Sequence, residues 1–411
     1  MTLTVLHNAL LFDGQSPDLV DDTYVVIEDD RIKEVGQGGV VPKGDQVIDL
    51  GGQVLMPGLI DAHVHLIATT ADLGSIGNDP ASLTAMRGGR IAEGMLQRGF
   101  TAVRDAGSAD WGMAMAIEEG LIAGPRLFYS GRVLSQTGGH GDSRPRVYDW
   151  EGCQCCLPSA QFTAIADGVD EVRKAARTEL RRGATQIKIM ASGGVASPTD
   201  PIWNLQYSEE EIAAAVWEAT SWRTYVMAHA YTPEAISRCV RLGVRSIEHG
   251  NLIDRASLEL MREKDAWLVP TLVTYNSLHK YGADYGLPPV SVAKVDDVRI
   301  QGLEALALAH EMGVNIGLGT DLLGGMHKDQ SNEFVIRAQV MPEVDVLRSA
   351  TSQNAKLLNM EGELGVVASG AYADLIAVRG NPLEDISCLD GQGEALSLIL
   401  KGGVILKNDM A

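Results

Sequence analysis

The feature that most constrains this chain is a long central stretch in which short apolar runs alternate with amphipathic segments. Eight runs between residues 57 and 359 are candidate strands: 59–65, 101–107, 126–131, 186–190, 225–230, 245–250, 266–272 and 315–321. Strands that alternate with helices are typical of a parallel sheet. Eight such units favour a (β/α)8 TIM barrel over an open sheet.

Segments rich in β signals flank the predicted barrel. Residues 1–56 contain short apolar runs that turn at Asp29, and residues 360–411 repeat this pattern with a turn at Gly402 and Gly403. Each segment alone has only about 50 residues and unpaired strand edges, too little for a stable core. We therefore expect a small β-sandwich built from both chain termini, with the barrel occupying residues 57–359.

Charge and cysteine content exclude several classes of protein. The chain has 34 Lys and Arg against 54 Asp and Glu, a net charge of -20, which would repel nucleic acid and anionic membranes. It has no 18-residue apolar stretch, and its first Lys or Arg is Arg31, so a cytoplasmic protein is predicted. Five cysteines indicate reduced thiols, and the Cys153–Cys156 pair has no second pair nearby for zinc.

Polar residues cluster where the predicted strands end, which is where barrels of this type place their active sites. His63 and His65 are two positions apart, so their side chains point to the same side of a strand. Lys188 lies between Ile187 and Ile189 and points into the barrel if the isoleucines face the helices. Three further strand ends carry His229, His249 and Asp321.

Each of these residues alone has a structural explanation. A strand histidine is usually a hydrogen-bonded core residue, Lys188 could extend to solvent, and Asp321 could cap a helix. Together, four histidines and an aspartate favour a divalent metal such as zinc. An ammonium facing two cations is repelled, whereas a neutral buried lysine can react with carbon dioxide. The resulting carbamate on Lys188 is an anion able to bridge two metal ions.

Several motifs resemble the amidohydrolase superfamily, in its binuclear type with a carboxylated lysine. They are VLMPGLIDAHVHL, IKIMASGG, MAHAYTP, SIEHGN, GLGTD and, near the C-terminus, GELGVVASGAYADLIAV. The resemblance covers essentially the whole chain. It implies one metal held by His63, His65 and Asp321, a second held by His229 and His249, and a bridging carboxylated Lys188.

The resemblance also implies a reaction and a substrate class. Two zinc ions would hold a bridging hydroxide that attacks an amide, while Asp321 transfers a proton to the leaving nitrogen. The runs GGHGD, KIMASGGVASPTDP and HAYTPEAI are similar to prolidase-like Xaa-Pro dipeptidases and ochratoxin-hydrolase-like enzymes. In that group the residues matching His140 and Tyr231 contact the substrate, a small dipeptide or N-acyl amino acid. Relatives often form homo-oligomers, which we expect here.

Other interpretations remain open at this point. His140 could be a solvated loop residue, and Tyr231 could simply pack on the next helix. A mononuclear deaminase or cyclic-amide hydrolase of the same fold would be expected to lack Lys188, and a non-catalytic binding homologue would be expected to have lost metal ligands. Two long runs rich in glycine, proline and aromatic residues, 192–208 and 274–289, are predicted loops that could cover a ligand.

Overall fold

The computed structural model describes residues 2–144, 162–197, 200–287 and 289–410. The Cys153–Cys156 pair lies outside these residues. The chain begins with five strands: β1 (Leu3–Leu11), β2 (Val20–Glu28), β3 (Arg31–Gln37), β4 (Gln46–Asp49) and β5 (Val54–Pro57).

The barrel strands follow, all paired in parallel. They are β6 (Leu59–Val64), β7 (Phe100–Asp105), β8 (Arg126–Tyr129), β9 (Val133–Ser135), β10 (Thr163–Ile165), β11 (Ile187–Met190), β12 (Val226–Ala230), β13 (Ser246–His249), β14 (Trp267–Val269) and β15 (Asn315–Ile316). One sheet has the order β6-β7-β8 and the other β10-β9-β11-β12-β13-β14-β15. The backbone N–H of Ala62 donates to Leu318 O at 2.8 Å and links the last strand segment to the first. Each of the eight predicted runs overlaps one of these strands, whereas β9 and β10 were not predicted.

The eighth strand is shorter than predicted. The run 315–321 pairs with β14 only at Asn315–Ile316. Beyond it the backbone packs so closely that a Cβ on Gly319 would lie 2.6 Å from Val269 Cγ1 and 2.7 Å from His63 Cβ. The segment after β15 therefore approaches the barrel interior instead of continuing the regular ladder.

Eleven α-helices are described around the barrel strands. They are α1 (Ala81–Gln97), α2 (Trp111–Glu118), α3 (Gly168–Arg181), α4 (Glu209–Ser221), α5 (Pro233–Arg241), α6 (Arg255–Glu263), α7 (Leu272–Tyr281), α8 (Pro289–Glu311), α9 (Asn332–Arg337), α10 (Glu343–Ser349) and α11 (Ser352–Leu357). Ser208 and Glu211 form a capping box at the start of α4, an arrangement that stabilises helix N-termini. None of the helices in the described residues is long and apolar enough to cross a bilayer.

Helix α7 corrects the expectation of a loop over residues 274–289. The Thr271 side chain makes no capping hydrogen bond at its N-terminus. Instead the buried carboxylate of Glu333, on α9, accepts from Val273 N at 2.7 Å and from Arg337 Nε at 2.7 Å. Because this cap comes from a residue distant in the sequence, no local signal marks the start of the helix.

The chain ends in β16 (Leu375–Val378), β17 (Leu396–Lys401) and β18 (Val404–Asn408). These strands join the N-terminal ones in a mixed sheet of order β18-β17-β16-β5-β1-β2-β3, with β4 beside β1. The two halves meet where β5 pairs antiparallel with β16. A separate apolar cluster that includes Leu6, Ile27, Leu55, Leu375 and Leu400 fills this unit. The predicted barrel with a sandwich built from both termini is confirmed.

Candidate metal centre and substrate pocket

One pocket lies at the C-terminal ends of the barrel strands. All eight residues predicted for the site line it: His63, His65, His140, Lys188, His229, Tyr231, His249 and Asp321. Other lining residues are Phe162, Met190, Val195, Thr274, Tyr275, Leu278 and Leu323. The fold thus brings together residues from several barrel strands, the loops beside them and α7, and gives them a partly apolar enclosure.

Asp321 lies at the centre of the histidine cluster. Its Oδ1 is 3.0 Å from His65 Nε2 and 3.5 Å from His63 Nε2. Coordinating atoms of His63, His249 and Asp321 all lie within 4.8 Å of one another. The ring centroids of His229 and His249 are 4.6 Å apart. Imidazole nitrogen and carboxylate oxygen atoms at these separations fit a divalent ion of the zinc type.

Three of the four histidines have lowered pKa values, which suits metal binding because it requires neutral imidazoles and ionised carboxylates. Burial lowers the pKa of His249 to about 3 and those of His63 and His229 well below their ordinary value. Burial would lower the pKa of His65 as well, but its hydrogen bond with Asp321 and the charge of that residue raise it. Burial alone would raise the pKa of Asp321, but the charge of His63 and the hydrogen bond from His65 outweigh it and lower that pKa. Asp321 is therefore a carboxylate.

Lys188 extends from β11 into the barrel and is 1% exposed. Burial lowers its pKa to about 8, although the charges of Glu248 and Asp321 act in the opposite direction. At neutral pH more of this amine is neutral than in a solvent-exposed lysine.

Buried groups behind the cluster orient its histidines. Glu248 Oε2 lies 2.6 Å from His63 Nδ1, while Glu248 Oε1 accepts from Arg104 Nη2 at 2.9 Å. His65 Nδ1 lies 3.2 Å from Gly107 O. Such contacts fix the tautomer of each ring and leave Nε2 of His63 and His65 facing Asp321. Sequence reasoning missed Glu248 and Arg104, although each is a charged residue within an apolar strand run.

His140 lies on the loop between β9 and β10 and stacks on His229, with ring centroids 4.2 Å apart. Its Nδ1 is 2.9 Å from Ser197 Oγ and 3.6 Å from Asp200 Oδ2. A Cβ on Gly194 would lie 2.6 Å from His140 Nε2. The loop that carries Ser197 and Asp200 therefore runs directly over the stacked rings.

A lysine from α8 holds this loop in place. Lys294 Nζ donates to three of its carbonyl oxygens, Gly194 O at 2.9 Å, Ser197 O at 2.9 Å and Asp200 O at 2.6 Å. All three ammonium protons are thus used within one short segment. Sequence reasoning missed Lys294, because nothing in its own helix indicates which loop it contacts.

Tyr231 follows β12 and faces the same cluster. Its ring is 5.0 Å from that of His229 and 5.3 Å from that of His249. Its hydroxyl oxygen lies 2.7 Å from that of Tyr275 on α7. Sequence reasoning placed Tyr275 only within a predicted loop and gave it no role.

The sequence pattern of the amidohydrolase family matches residues 54–405. The chain belongs to the amidohydrolase family. Ochratoxinase from Aspergillus niger is 33% identical to this amidohydrolase over 427 aligned residues, which cover 98% of this chain and 87% of the relative. The resemblance inferred from the motifs is confirmed.

Solved structures agree with this assignment. The amidohydrolase superposes on a prolidase complexed with N-methylphosphonate-L-proline with a TM-score of 0.97 and 52% identity, covering 99% of this chain and 100% of the prolidase. For an Xaa-Pro dipeptidase with methionine bound in its active site, the TM-score is 0.88 and the identity 32%, with coverage of 99% and 100%. The protein is an enzyme of the amidohydrolase superfamily, whose members generally bind divalent metals.

Proposed function

We propose that this amidohydrolase cleaves small dipeptides or N-acyl amino acids that carry a free α-carboxylate, with proline or another apolar residue on the C-terminal side. The observation that carries the proposal is one pocket that combines a histidine–aspartate cluster with His140 and Tyr231. The similarity to a prolidase, an Xaa-Pro dipeptidase and ochratoxinase supports the same substrate class.

Two divalent ions, Zn²⁺, belong to this proposal. His63, His65 and Asp321 would hold one, His229 and His249 the other, and a carbamate on Lys188 would be shared by both. The donors fit, since they are imidazole nitrogen and carboxylate oxygen atoms. When bound, the ions supply a water of lowered pKa and a Lewis acid for the substrate carbonyl.

The balance of charge in the site supports a carbamate on Lys188. An ammonium buried at 1% exposure among metal ligands would add to the positive charge of the ions. Carboxylation of Lys188 replaces that cation with an anion carrying two oxygen donors. The converted side chain then offsets part of the metal charge.

Asp321 and Tyr231 act on the reacting groups. As an ionised carboxylate at the centre of the cluster, Asp321 accepts a proton from the attacking water and delivers it to the leaving nitrogen. The Tyr231 hydroxyl donates a hydrogen bond to the carbonyl oxygen, where negative charge develops during attack. In this proposal Asp321 acts on the water and the leaving nitrogen, and Tyr231 acts on the carbonyl oxygen of the same amide.

In this proposal His140 binds the substrate carboxylate. Ser197 Oγ donates to Asp200 Oδ1 and accepts from His140 Nδ1, while the Asp200 carboxylate lies 3.6 Å from this ring nitrogen. Burial would raise the pKa of Asp200, but its hydrogen bonds with His140 and Gln206 contribute to lowering it. Because Nδ1 of His140 faces Ser197 and Asp200, Nε2 is the ring nitrogen left for the substrate, and an N–H there binds a carboxylate. Apolar residues beside it, among them Val195 and Leu278, suit a proline ring.

The deciding experiment compares an Xaa-Pro dipeptide with its Xaa-Pro-amide on zinc-loaded protein. A charge-assisted hydrogen bond is worth about 1.5–3 kcal/mol, so kcat/KM should be at least about 10-fold higher for the free acid. His140→Ala should reduce this preference while metal content is retained. Equal kcat/KM for acid and amide would show that the carboxylate is not recognised, and deamination of heterocycles without peptide cleavage would favour the deaminase alternative.

The metal content has its own test. Elemental analysis after saturation should give about two divalent ions per chain, as expected for a two-metal site. Metal uptake by chelator-stripped protein should increase with bicarbonate, because the carbamate forms from carbon dioxide. Lys188→Ala provides the control, since its metal uptake should not respond to bicarbonate. At most one ion at saturation, or no bicarbonate effect, contradicts the bridged centre.

A further inference from the structure

A chain of buried hydrogen bonds connects His249 with the hydroxyl of Tyr231. His249 Nδ1 lies 2.8 Å from Thr271 Oγ1. The Thr271 hydroxyl acts to lower the pKa of Tyr275, as a group that donates to the phenol oxygen does. The Tyr275 and Tyr231 hydroxyl oxygens are 2.7 Å apart. All four side chains are buried, with exposed fractions of 0–3%. Two of these groups were not expected from sequence to have any part in the site.

The number of protons on these side chains determines which group donates in each hydrogen bond of the series. Nδ1 of His249 faces Thr271, so Nε2 is the nitrogen left for an ion, and a neutral ring then carries its proton on Nδ1. That proton is donated to Thr271. Thr271 has a single proton, which it donates to Tyr275, and Tyr275 in turn donates to Tyr231.

Tyr231 therefore accepts the last hydrogen bond and keeps its own proton for another acceptor. Within the part of the chain that the structure describes, its hydroxyl bonds only to Tyr275. Tyr231 lines the pocket, so its proton is directed to whatever occupies that space. A hydroxyl that accepts a hydrogen bond also becomes a stronger donor, because neighbouring bonds polarise one another.

We propose that Tyr275 is a positioning residue that orients the Tyr231 hydroxyl as a donor to the reacting carbonyl oxygen, and that Thr271 links this orientation to His249. The proposal rests on the proposed amide hydrolysis and deepens it. Tyr275 acts through Tyr231 and needs no contact with the substrate. Removing its hydroxyl should weaken stabilisation of the developing oxyanion and leave ground-state binding unchanged.

A double-mutant cycle separates this role from direct substrate contact. Tyr275→Phe keeps the ring packed against its neighbours and removes only the hydroxyl. Alone, it should lower kcat about 10-fold with little change in KM, the scale of a weakened oxyanion donor. In a Tyr231→Phe background the same change should cost less than about 2-fold, because the hydroxyl it orients is gone.

Three further variants complete the cycle. Thr271→Val should lower kcat with the metals retained, and Thr271→Ser, which keeps a hydroxyl, should restore it. Tyr281→Phe is the matched control, since Tyr281 ends the same helix and contacts Tyr285 rather than the pocket. Its kcat should equal that of the unmodified protein. Independent losses from Tyr275→Phe and Tyr231→Phe would overturn the proposal, as would failure of Thr271→Ser to restore kcat.

Binding provides a readout that needs no turnover. The zinc-loaded protein is titrated calorimetrically with N-methylphosphonate-L-proline, whose tetrahedral phosphorus carries anionic oxygens, and with proline. Tyr275→Phe should weaken phosphonate binding about 10-fold and leave proline binding unchanged. Equal effects on both ligands would overturn the inference. A wild-type protein that cleaves no dipeptide contradicts the proposed function, whereas an active protein insensitive to Tyr275→Phe contradicts only the inference.

Discussion

The two sides of the pocket are held in place by different contacts. The floor consists of His63, His65, Lys188, His229, His249 and Asp321. The first five belong to barrel strands or directly follow them, and Asp321 lies on the segment after β15 that approaches the barrel interior. The rim consists of His140, residues 192–197, Asp200 and Tyr275, which lie on loops and on α7. Side chains distant in the sequence hold it, such as Lys294 and Ser197.

This difference separates chemistry from recognition. Strands packed on both faces keep the floor in one geometry, as bond making and breaking require. Loops held by a few side-chain bonds can change between related enzymes without disturbing the barrel. Changes to the floor should therefore affect metal binding and kcat, and changes to the loop part of the rim should affect KM.

The largest effect is expected at Asp321. Asp321→Asn keeps the shape of the side chain and loses the proton acceptor. Acid–base groups contribute about 10²–10⁴-fold, so kcat should fall by at least about 10²-fold. Steady-state kinetics on protein of measured metal content checks this. Near-normal kcat in a fully metallated variant would remove the proton-transfer role and leave Asp321 as a ligand only.

A smaller effect is expected behind the floor, at Glu248. Glu248→Gln leaves Arg104 buried without its anionic partner and removes the negative charge facing His63 Nδ1. Loss of such outer partners typically lowers metal affinity about 10–100-fold, which chelator competition measures. The control is Glu218→Gln, because Glu218 is also buried and pairs with Arg177 on the helical layer. If both variants lose stability and neither loses metal affinity, Glu248 serves only the fold.

The smallest effect is expected in the rim, at Lys294. Lys294→Met removes three donors from the loop that positions Ser197 and Asp200 beside His140. KM for free-acid dipeptides should rise about 3–10-fold with kcat nearly unchanged, because ground-state binding is what weakens. Lys401→Met is the matched control, since Lys401 Nζ donates to Gly124 O at 2.6 Å in another part of the molecule. A fall in kcat at constant KM would contradict the separation of floor and rim.

The sequence predicted the floor better than the rim for a physical reason. The two-residue period of a strand determines the face on which a side chain lies, so His63, His65 and Lys188 could be assigned to the barrel interior. No such period indicates a partner far along the chain. Arg104 and Glu248 lie in separate strands, and their pairing could not be inferred from either run alone.

The same limit explains the loop that proved to be a helix. The start of α7 depends on a carboxylate from α9 rather than on its own residues, so the position of Tyr275 was hidden. Local rules therefore predicted the barrel, the sandwich and the placement of the candidate ligands. The contacts that orient those ligands became visible only in three dimensions.

The pairing of β5 with β16 also bears on how the protein is synthesised. β5 directly precedes β6, the strand that carries His63, yet its neighbour in the sheet, β16, lies more than 300 residues further along the sequence. During translation β1 to β5 leave the ribosome first and have an open edge until β16 to β18 follow. An exposed edge of this kind attracts other strands. The β5 edge therefore stays open to pairing with other strands until β16 forms, and completion of the sheet must wait for the last strands.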